Sequence, residues 1–437
     1  MTKLDELGGR IDAREARIGV IGLGYVGLPL ALEFAKAGFR VTGFDLDGEK
    51  VKTIAEGGSY IEDVPAAEVA AETGAGRLSA TTDFGALAEQ DVINVCVPTP
   101  LTKTKDPDVS FIMSAVEDIR KRLRPGQLLI LGSTTYPGTT HDLFVPLLEE
   151  TGLTLGTDFA VAYSPERIDP ANKQFKVRQV PKVVGGETPL CTDLAAKVYG
   201  TIFDTVVPVS SSQSAEMVKL LENTFRAINI GLANEVALMC GKLGLDVWEV
   251  IDAAASKPYG FMKFTPGPGL GGHCIPVDPT YLSWKMKSLN FQARFIELAT
   301  EINGHMPEHV ATTVGDLLNE DRVAVNGARV LMIGVAYKAD VSDIRESPAL
   351  DVIRLLDAKG AQVSFHDPHV TELEIEGWSG KNVELSDENL SSADIVVILT
   401  EHSGIDWDRL VRLSHRVYDT RNATRAVKAH TEKIAKL

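Results

Sequence analysis

Short apolar runs alternate with helical periods through the first half of the chain. Residues 17–21 (RIGVI) read as a buried strand, and residues 28–37 read as a helix closed by Gly38. A second short strand at 40–44 ends on Asp45. Residues 91–97 (DVINVCV), 128–131 and 159–163 read as buried parallel strands that run into polar loops. Those loops are Pro98-Thr99-Pro100, Ser133-Thr134-Thr135 and Ser164-Pro165-Glu166-Arg167. Val183-Val184 precedes a helix from Pro189, and residues 205–209 read as a last strand. Strands alternating with helices predict a doubly wound α/β domain over residues 1–205, with ligands at the carboxyl ends of its strands.

The period then changes. From 214 to about 243 one long helix is predicted, with Met217, Leu220, Leu221, Phe225, Ile228 and Leu232 apolar. A second helical stretch covers about 291–318, so residues 206–320 form a mostly helical middle. Beyond Asn326-Gly327 strands return at 329–335, 362–365, 395–399 and 416–418, with a helix at 348–359. Residues 321–437 therefore read as a second Rossmann-like domain. Its first turn, Gly334-Val335-Ala336-Tyr337-Lys338, lacks the dinucleotide glycines, and its lysine suits a phosphate. The expected fold is α/β: two Rossmann-like doubly wound domains joined by a central helical domain with one long helix.

Between the first strand and helix stands Gly22-Leu23-Gly24-Tyr25-Val26-Gly27. Glycines there permit a tight turn and close approach of backbone to a pyrophosphate seated on the helix N-terminus. Asp45, at the end of the second strand, suits the adenosine ribose and repels a 2′-phosphate. No arginine follows at Leu46 or Asp47. Strand, glycines, helix, strand and acid in that order predict NAD rather than NADP.

With 437 residues the chain has room for two or three domains. A net charge of −16 argues against nucleic acid or an anionic membrane as a main partner. Four scattered cysteines (Cys96, Cys191, Cys240, Cys274) fit a reducing cytoplasm and form no zinc-ligand spacing, so no metal is expected. Glycines, Pro29 and Glu33 interrupt the apolar stretch 18–34, which reads as strand, turn and helix rather than a membrane span. A soluble cytoplasmic protein is expected.

Cys274 follows Pro266-Gly267-Pro268-Gly269-Leu270-Gly271-Gly272-His273. Such a loop brings backbone close to a ligand and presents the side chain after it. A thiolate can add to an aldehyde, giving a hemithioacetal that can release hydride. Cys96 and Cys240 read instead as small buried hydrophobes. Lys219 and Asn223, at i and i+4, share one face of the long helix, where they could stabilise an oxyanion. The same spacing fits an ordinary solvated face. Glu166, Asp169 and Asp278 are loop carboxylates that could orient water, and Thr134 is also a common turn residue. Tyr281 and Lys285 have the Tyr-x-x-x-Lys spacing of short-chain reductases but follow the wrong glycine pattern. His305 and His309 lack the intervening Glu and third ligand of a zinc site.

Taken together, GLGYVGLPLA, VPTP, STTYPGTT, YSPER, EMVKLLENTFRAINIGLANE, PGPGLGGHCIPVDP and GVAYKADVSDIRESP closely resemble the UDP-glucose/GDP-mannose dehydrogenase family over nearly the whole chain. Residues 257–261 and the cysteine loop look like the branch acting on UDP-N-acetylglucosamine. The resemblance implies four-electron oxidation of a C6 alcohol to a carboxylate with two NAD. It implies Cys274 as nucleophile, Lys219 and Asn223 as oxyanion stabilisers, and Asp278 with Thr134 ordering water and protons. Gly22, Gly24, Tyr25, Val26, Gly27, Asp45, Thr99 and Thr134 would hold the cofactor. Glu166, Arg167, Lys219, Asn223, Tyr259, Phe261, Phe264, Gly271, Lys338 and Arg345 would contact the UDP-sugar. Where the branch commonly has Glu, this chain has Ile168, leaving Asp169 or Glu166 to activate water. A homodimer or larger assembly through the central helices is also implied. A two-electron hydroxyacid dehydrogenase, a non-catalytic NAD sensor and a nucleotide-sugar epimerase are the rival readings.

Overall fold

A computed structural model describes the chain apart from Met1, Glu62, Lys103, Lys105, residues 168–175 and His273. Ile168, Asp169 and His273 thus lie outside the described residues. The chain divides into two compact units, Met1–Glu222 with Thr280–Phe291, and Asn223–Pro279 with Gln292–Leu437.

The first unit is built on an eight-stranded sheet. Its strands are β1 (Arg17–Ile21), β2 (Arg40–Phe44), β3 (Leu78–Thr81), β4 (Val92–Val95), β5 (Gln127–Leu131), β6 (Phe159–Tyr163), β7 (Lys182–Gly186) and β8 (Val206–Val209). The order β3-β2-β1-β4-β5-β6-β7-β8 reverses direction between β1 and β4, which opens the ligand crevice at the carboxyl ends. Successive residues of β5 serve opposite faces: Leu128 and Ile130 pack with Leu28, Leu32 and Phe34, while Leu129 and Leu131 pack with Val116 and Ile119. Helices cover both faces, so the central strands are apolar throughout instead of alternating with polar residues. The sheet is not parallel throughout. β6 and β7 pair antiparallel, because a parallel pair needs a crossover, usually a helix. Between them the described residues hold only the short 3₁₀ turn Val177–Gln179.

The second unit carries a five-stranded parallel sheet and a small hairpin. The strands are β9 (Arg329–Ile333), β10 (Gln362–His366), the hairpin β11 (Glu372–Ile375) and β12 (Trp378–Lys381), then β13 (Ile395–Ile398), β14 (Val417–Asp419) and β15 (Ile434–Lys436). The hairpin and β15 are absent from the sequence reading. Alternate residues again divide between two cores, Val330 and Met332 on one face, Leu331 and Ile333 on the other. Among its helices are Val247–Ala255, capped by the Asp246 carboxylate, and Arg294–Glu320. Two helices cross the boundary between units: the long helix Ser212–Leu243 and the helix Asp278–Ser288.

Candidate active site

The glycine turn closes by steric necessity. Gly22 donates its N–H to Phe44 O at 2.8 Å and takes φ +87°, and a Cβ there would lie 2.5 Å from Cys96 O. A Cβ on Gly27 would sit 1.7 Å from Gly22 O. At Gly24 a Cβ would meet nothing within 4 Å, so its backbone faces open space just ahead of the helix Gly27–Lys36. Val26 stands at that helix's N-cap, and Tyr25 is exposed. Asp45 accepts the Leu23 N–H on one oxygen (2.8 Å) and the Asp47 N–H on the other (3.0 Å). An open glycine backbone at a helix N-terminus, beside a fixed carboxylate, fits the pyrophosphate and ribose of NAD.

Three loops follow along the carboxyl ends of the next strands in the first unit. Thr99 is buried, and its carbonyl accepts the hydroxyl of Tyr281. That bond, with Lys285 on Asp142 (3.3 Å), gives the Tyr-x-x-x-Lys pair a bracing job. In the next loop Ser133 Oγ donates to Val97 O at 2.8 Å, and Thr134 is half-buried. Glu216 of the long helix fastens the end of this loop. It accepts Gly138 N (2.6 Å) on one oxygen and Thr140 N (2.9 Å) and Oγ1 (2.6 Å) on the other. Burial pushes the Glu216 carboxyl up to about 7 despite those donors. The sequence reading did not single out this residue.

In the third loop Glu166 Oε1 accepts the N–H of Arg167 (2.7 Å), and Oε2 faces Lys182 Nζ at 3.3 Å. Arg167 pairs with Glu222 (2.5 Å) and donates to Pro181 O (2.6 Å), so its guanidinium anchors the loop. Lys219 is buried on the long helix, one turn before Asn223.

Cys274 is exposed, and its carbonyl accepts Val277 N (3.2 Å) and Asp278 N (2.8 Å). This turn delivers Asp278 to the start of its helix, buried, where Asn223 Nδ2 donates to its carboxylate at 2.5 Å. Asn223, 55 residues before Asp278, is thereby tied to the turn that carries Cys274 and Asp278 within the second unit. A buried amide relay holds the loop ahead of them: Gly267 N donates to Asn234 Oδ1 (2.9 Å), and Asn234 Nδ2 to Asn303 Oδ1 (2.8 Å). The loop glycines make room for protein rather than an open ligand surface. A Cβ on Gly269 would lie 2.8 Å from Pro348, one on Gly271 2.9 Å from Tyr337, and one on Gly272 2.8 Å from the Tyr337 ring. Before the loop, Tyr259 and Phe261 are exposed, and Phe264 packs edge-on against Phe225 at 5.8 Å.

In the second sheet's first turn, the N–H groups of Val335 (2.7 Å) and Ala336 (3.1 Å) donate to Asp367. A phosphate here would be met by side chains, with Lys338 half-buried and Arg345 exposed on Asp343 (2.6 Å). Asp367 also meets His402 Nε2 at 3.0 Å. Burial raises the Asp367 carboxyl, but His402 and the amides outweigh it and hold the group down at about 2. Asp340, His369 and His402 cluster closely enough to suggest a metal. Two of the three already have protein partners: His402 Nδ1 accepts Asp340 N (3.1 Å), and the Asp340 carboxylate accepts Ser403 N (2.8 Å) and Oγ (2.7 Å). Elsewhere in this unit a cavity of about 420 Å³, lined in part by Asp246, Arg425 and Lys436, contains none of the predicted site residues.

The glycine turn with its acid, and a second sheet with a modified nucleotide turn, define an NAD-dependent oxidoreductase with two Rossmann-like sheets. Family models agree along the chain, matching the NAD binding domain at residues 16–203, the central domain at 213–305 and the UDP binding domain at 331–426. The chain belongs to the UDP-glucose/GDP-mannose dehydrogenase family, the NAD-dependent UDP-sugar dehydrogenases. It is 38% identical to UDP-N-acetyl-D-glucosamine 6-dehydrogenase of Pseudomonas aeruginosa, over 82% of this chain and 84% of that one. It is 35% identical to UDP-N-acetyl-D-mannosamine dehydrogenase of Escherichia coli K12, over 89% and 94%. The structure of UDP-D-ManNAc dehydrogenase from Pyrococcus horikoshii superposes with a TM-score of 0.86 at 32% identity, covering 94% of this chain and 96% of that one. Among the described residues no helix is long and apolar enough to cross a membrane.

Proposed function

We propose that this chain oxidises UDP-N-acetylglucosamine at C6 to the uronic acid through a thioester on Cys274, in the cytoplasm, as a step toward surface polysaccharide. The observation that carries the reading is the exposed thiol on a turn whose far end, Asp278, is held by Asn223. NAD, held by the glycine turn and Asp45, supplies the hydride acceptor for two successive oxidations. The C6 alcohol gives up a hydride, and its hydroxyl proton passes to the water ordered by Asp278 and Thr134, leaving an aldehyde. Cys274 then adds as thiolate, and Lys219 and Asn223 stabilise the resulting oxyanion. Loss of a second hydride leaves the thioester. Water, ordered by Asp278 and Thr134 and deprotonated by Glu166, attacks the thioester and releases the carboxylate. UDP contacts fall to Lys338 and Arg345, and further contacts with the UDP-sugar to Tyr259, Phe261 and Phe264.

The similarity to mannosamine enzymes supports a second reading, in which the C2 epimer is the substrate. Limiting UDP-N-acetylglucosamine with excess NAD should yield two NADH per sugar. One NADH would refute the four-electron route. Turnover with the mannosamine epimer alone would shift the substrate while leaving the chemistry. Cys274→Ala should lose at least about 10³-fold in NADH formation and keep its NAD affinity.

A further inference from the structure

Lys182 opens β7, a position where a lysine ordinarily reaches solvent, yet its side chain is only 3% exposed. An ammonium is buried at a cost unless paired, and a simple core position would take an apolar residue. Its surroundings are specific. Nζ donates to Pro165 O at 2.9 Å and faces Glu166 Oε2 at 3.3 Å, under the rings of Tyr199 (5.2 Å) and Phe203 (5.4 Å). The other Glu166 oxygen is fixed by Arg167 N, so both carboxylate oxygens are held. Arg167 is in turn bound by Pro181 O and Glu222. The residue before Lys182 therefore helps anchor the same loop.

We propose that Lys182 is the positioning residue for Glu166, keeping that carboxylate ionised and oriented as the base that deprotonates the hydrolytic water. This rests on the reading of Glu166 given above. In the step concerned, a water O–H bond breaks and its proton passes to Glu166. The oxygen bonds to the thioester carbon, and the C–S bond breaks with its electron pair leaving on Cys274. No oxidant or reductant is needed. The neighbouring titratable groups do not cancel the lysine's charge. Burial pushes the Cys96 thiol up to about 12 and the Tyr199 phenol well above its ordinary value, so both are neutral near pH 7. The Arg167 and Glu222 charges answer each other.

Two variants of the full-length protein, K182Q and K182R, test this, with E166Q as the reference. Gln removes the charge and keeps a donor for Pro165 O; Arg keeps the charge. For K182Q the acidic limb of kcat should move up by about one pH unit, since an opposite charge is lost beside the base. The KM for UDP-sugar should stay within about twofold. Intact mass spectrometry during turnover should show a sugar adduct accumulating on Cys274, and K182R should restore the wild-type profile. A wild-type pH profile and no adduct in K182Q, beside an impaired E166Q, would overturn the role of Lys182 alone. Failure of both lysine variants to fold would make Lys182 structural and overturn it too. Wild-type turnover in E166Q would overturn the reading of Glu166 itself.

Discussion

At the scale of single residues, the glycine turn separates folding from binding. Gly27 has no room for a Cβ, which would meet Gly22 O at 1.7 Å, whereas Gly24 has open space. Gly27→Ala should lower the melting temperature of the ligand-free protein. Gly24→Ala should leave it within about a degree, since surface substitutions change stability by roughly 0.5 kcal/mol or less, yet weaken NAD binding at least about tenfold by blocking close approach of the pyrophosphate. Calorimetry with and without NAD checks both, and unchanged NAD affinity in Gly24→Ala would remove the pyrophosphate from that face. This turn was legible because its meaning is local: strand, glycines, helix and acid lie within 17–45. The Asn223–Asp278 bond was not, because its partners are 55 residues apart. Lys182 was hidden for another reason, since its burial depends on Tyr199 and Phe203, which only the fold brings over it.

Among elements, the brace between the long helix and the loop after β5 imposes a pH dependence. Glu216 has an ordinary carboxyl value of 4.5, raised by burial to about 7 in the folded state. The folded protein therefore holds a proton that the unfolded chain releases. The group's contribution to stability is full below about pH 4.5 and is lost as pH rises through about 7. The loss is on the order of 3 kcal/mol, at about 1.4 kcal/mol for each pH unit. Glu216→Gln stays neutral throughout, although its amide meets the Gly138 N–H as a second donor. Wild-type stability, measured relative to this variant between pH 5 and 8, should fall as pH rises; parallel curves would mean that Glu216 does not carry the proton. Periodicity made the long helix visible because its apolar positions recur over many turns. The helix Asp278–Ser288 escaped because Pro276, Pro279 and a glycine-rich approach read as loop. The antiparallel pairing of β6 with β7 was also invisible, since a buried strand looks the same in either direction.

For the whole molecule, the long helix carries an apolar stripe that the described residues leave partly exposed. Phe225, Leu232 and Met239 recur at seven-residue intervals and are 44%, 55% and 51% exposed. That spacing places them on one face, and exposed apolar side chains repeated along one helix face suit an interaction site. The occupant that fits the family resemblance is a second copy of this chain, which would lay the same stripe against its own by two-fold symmetry. Light scattering at micromolar concentration should give a mass at least twice 47.2 kDa. The double substitution Leu232→Glu and Met239→Glu sets like charges across that contact and should reduce the mass to 47.2 kDa. The melting transition should survive, because both side chains already face solvent in the single chain. A monomeric wild-type protein would leave the stripe without its proposed partner. A double variant that remains assembled would move the contact to another surface.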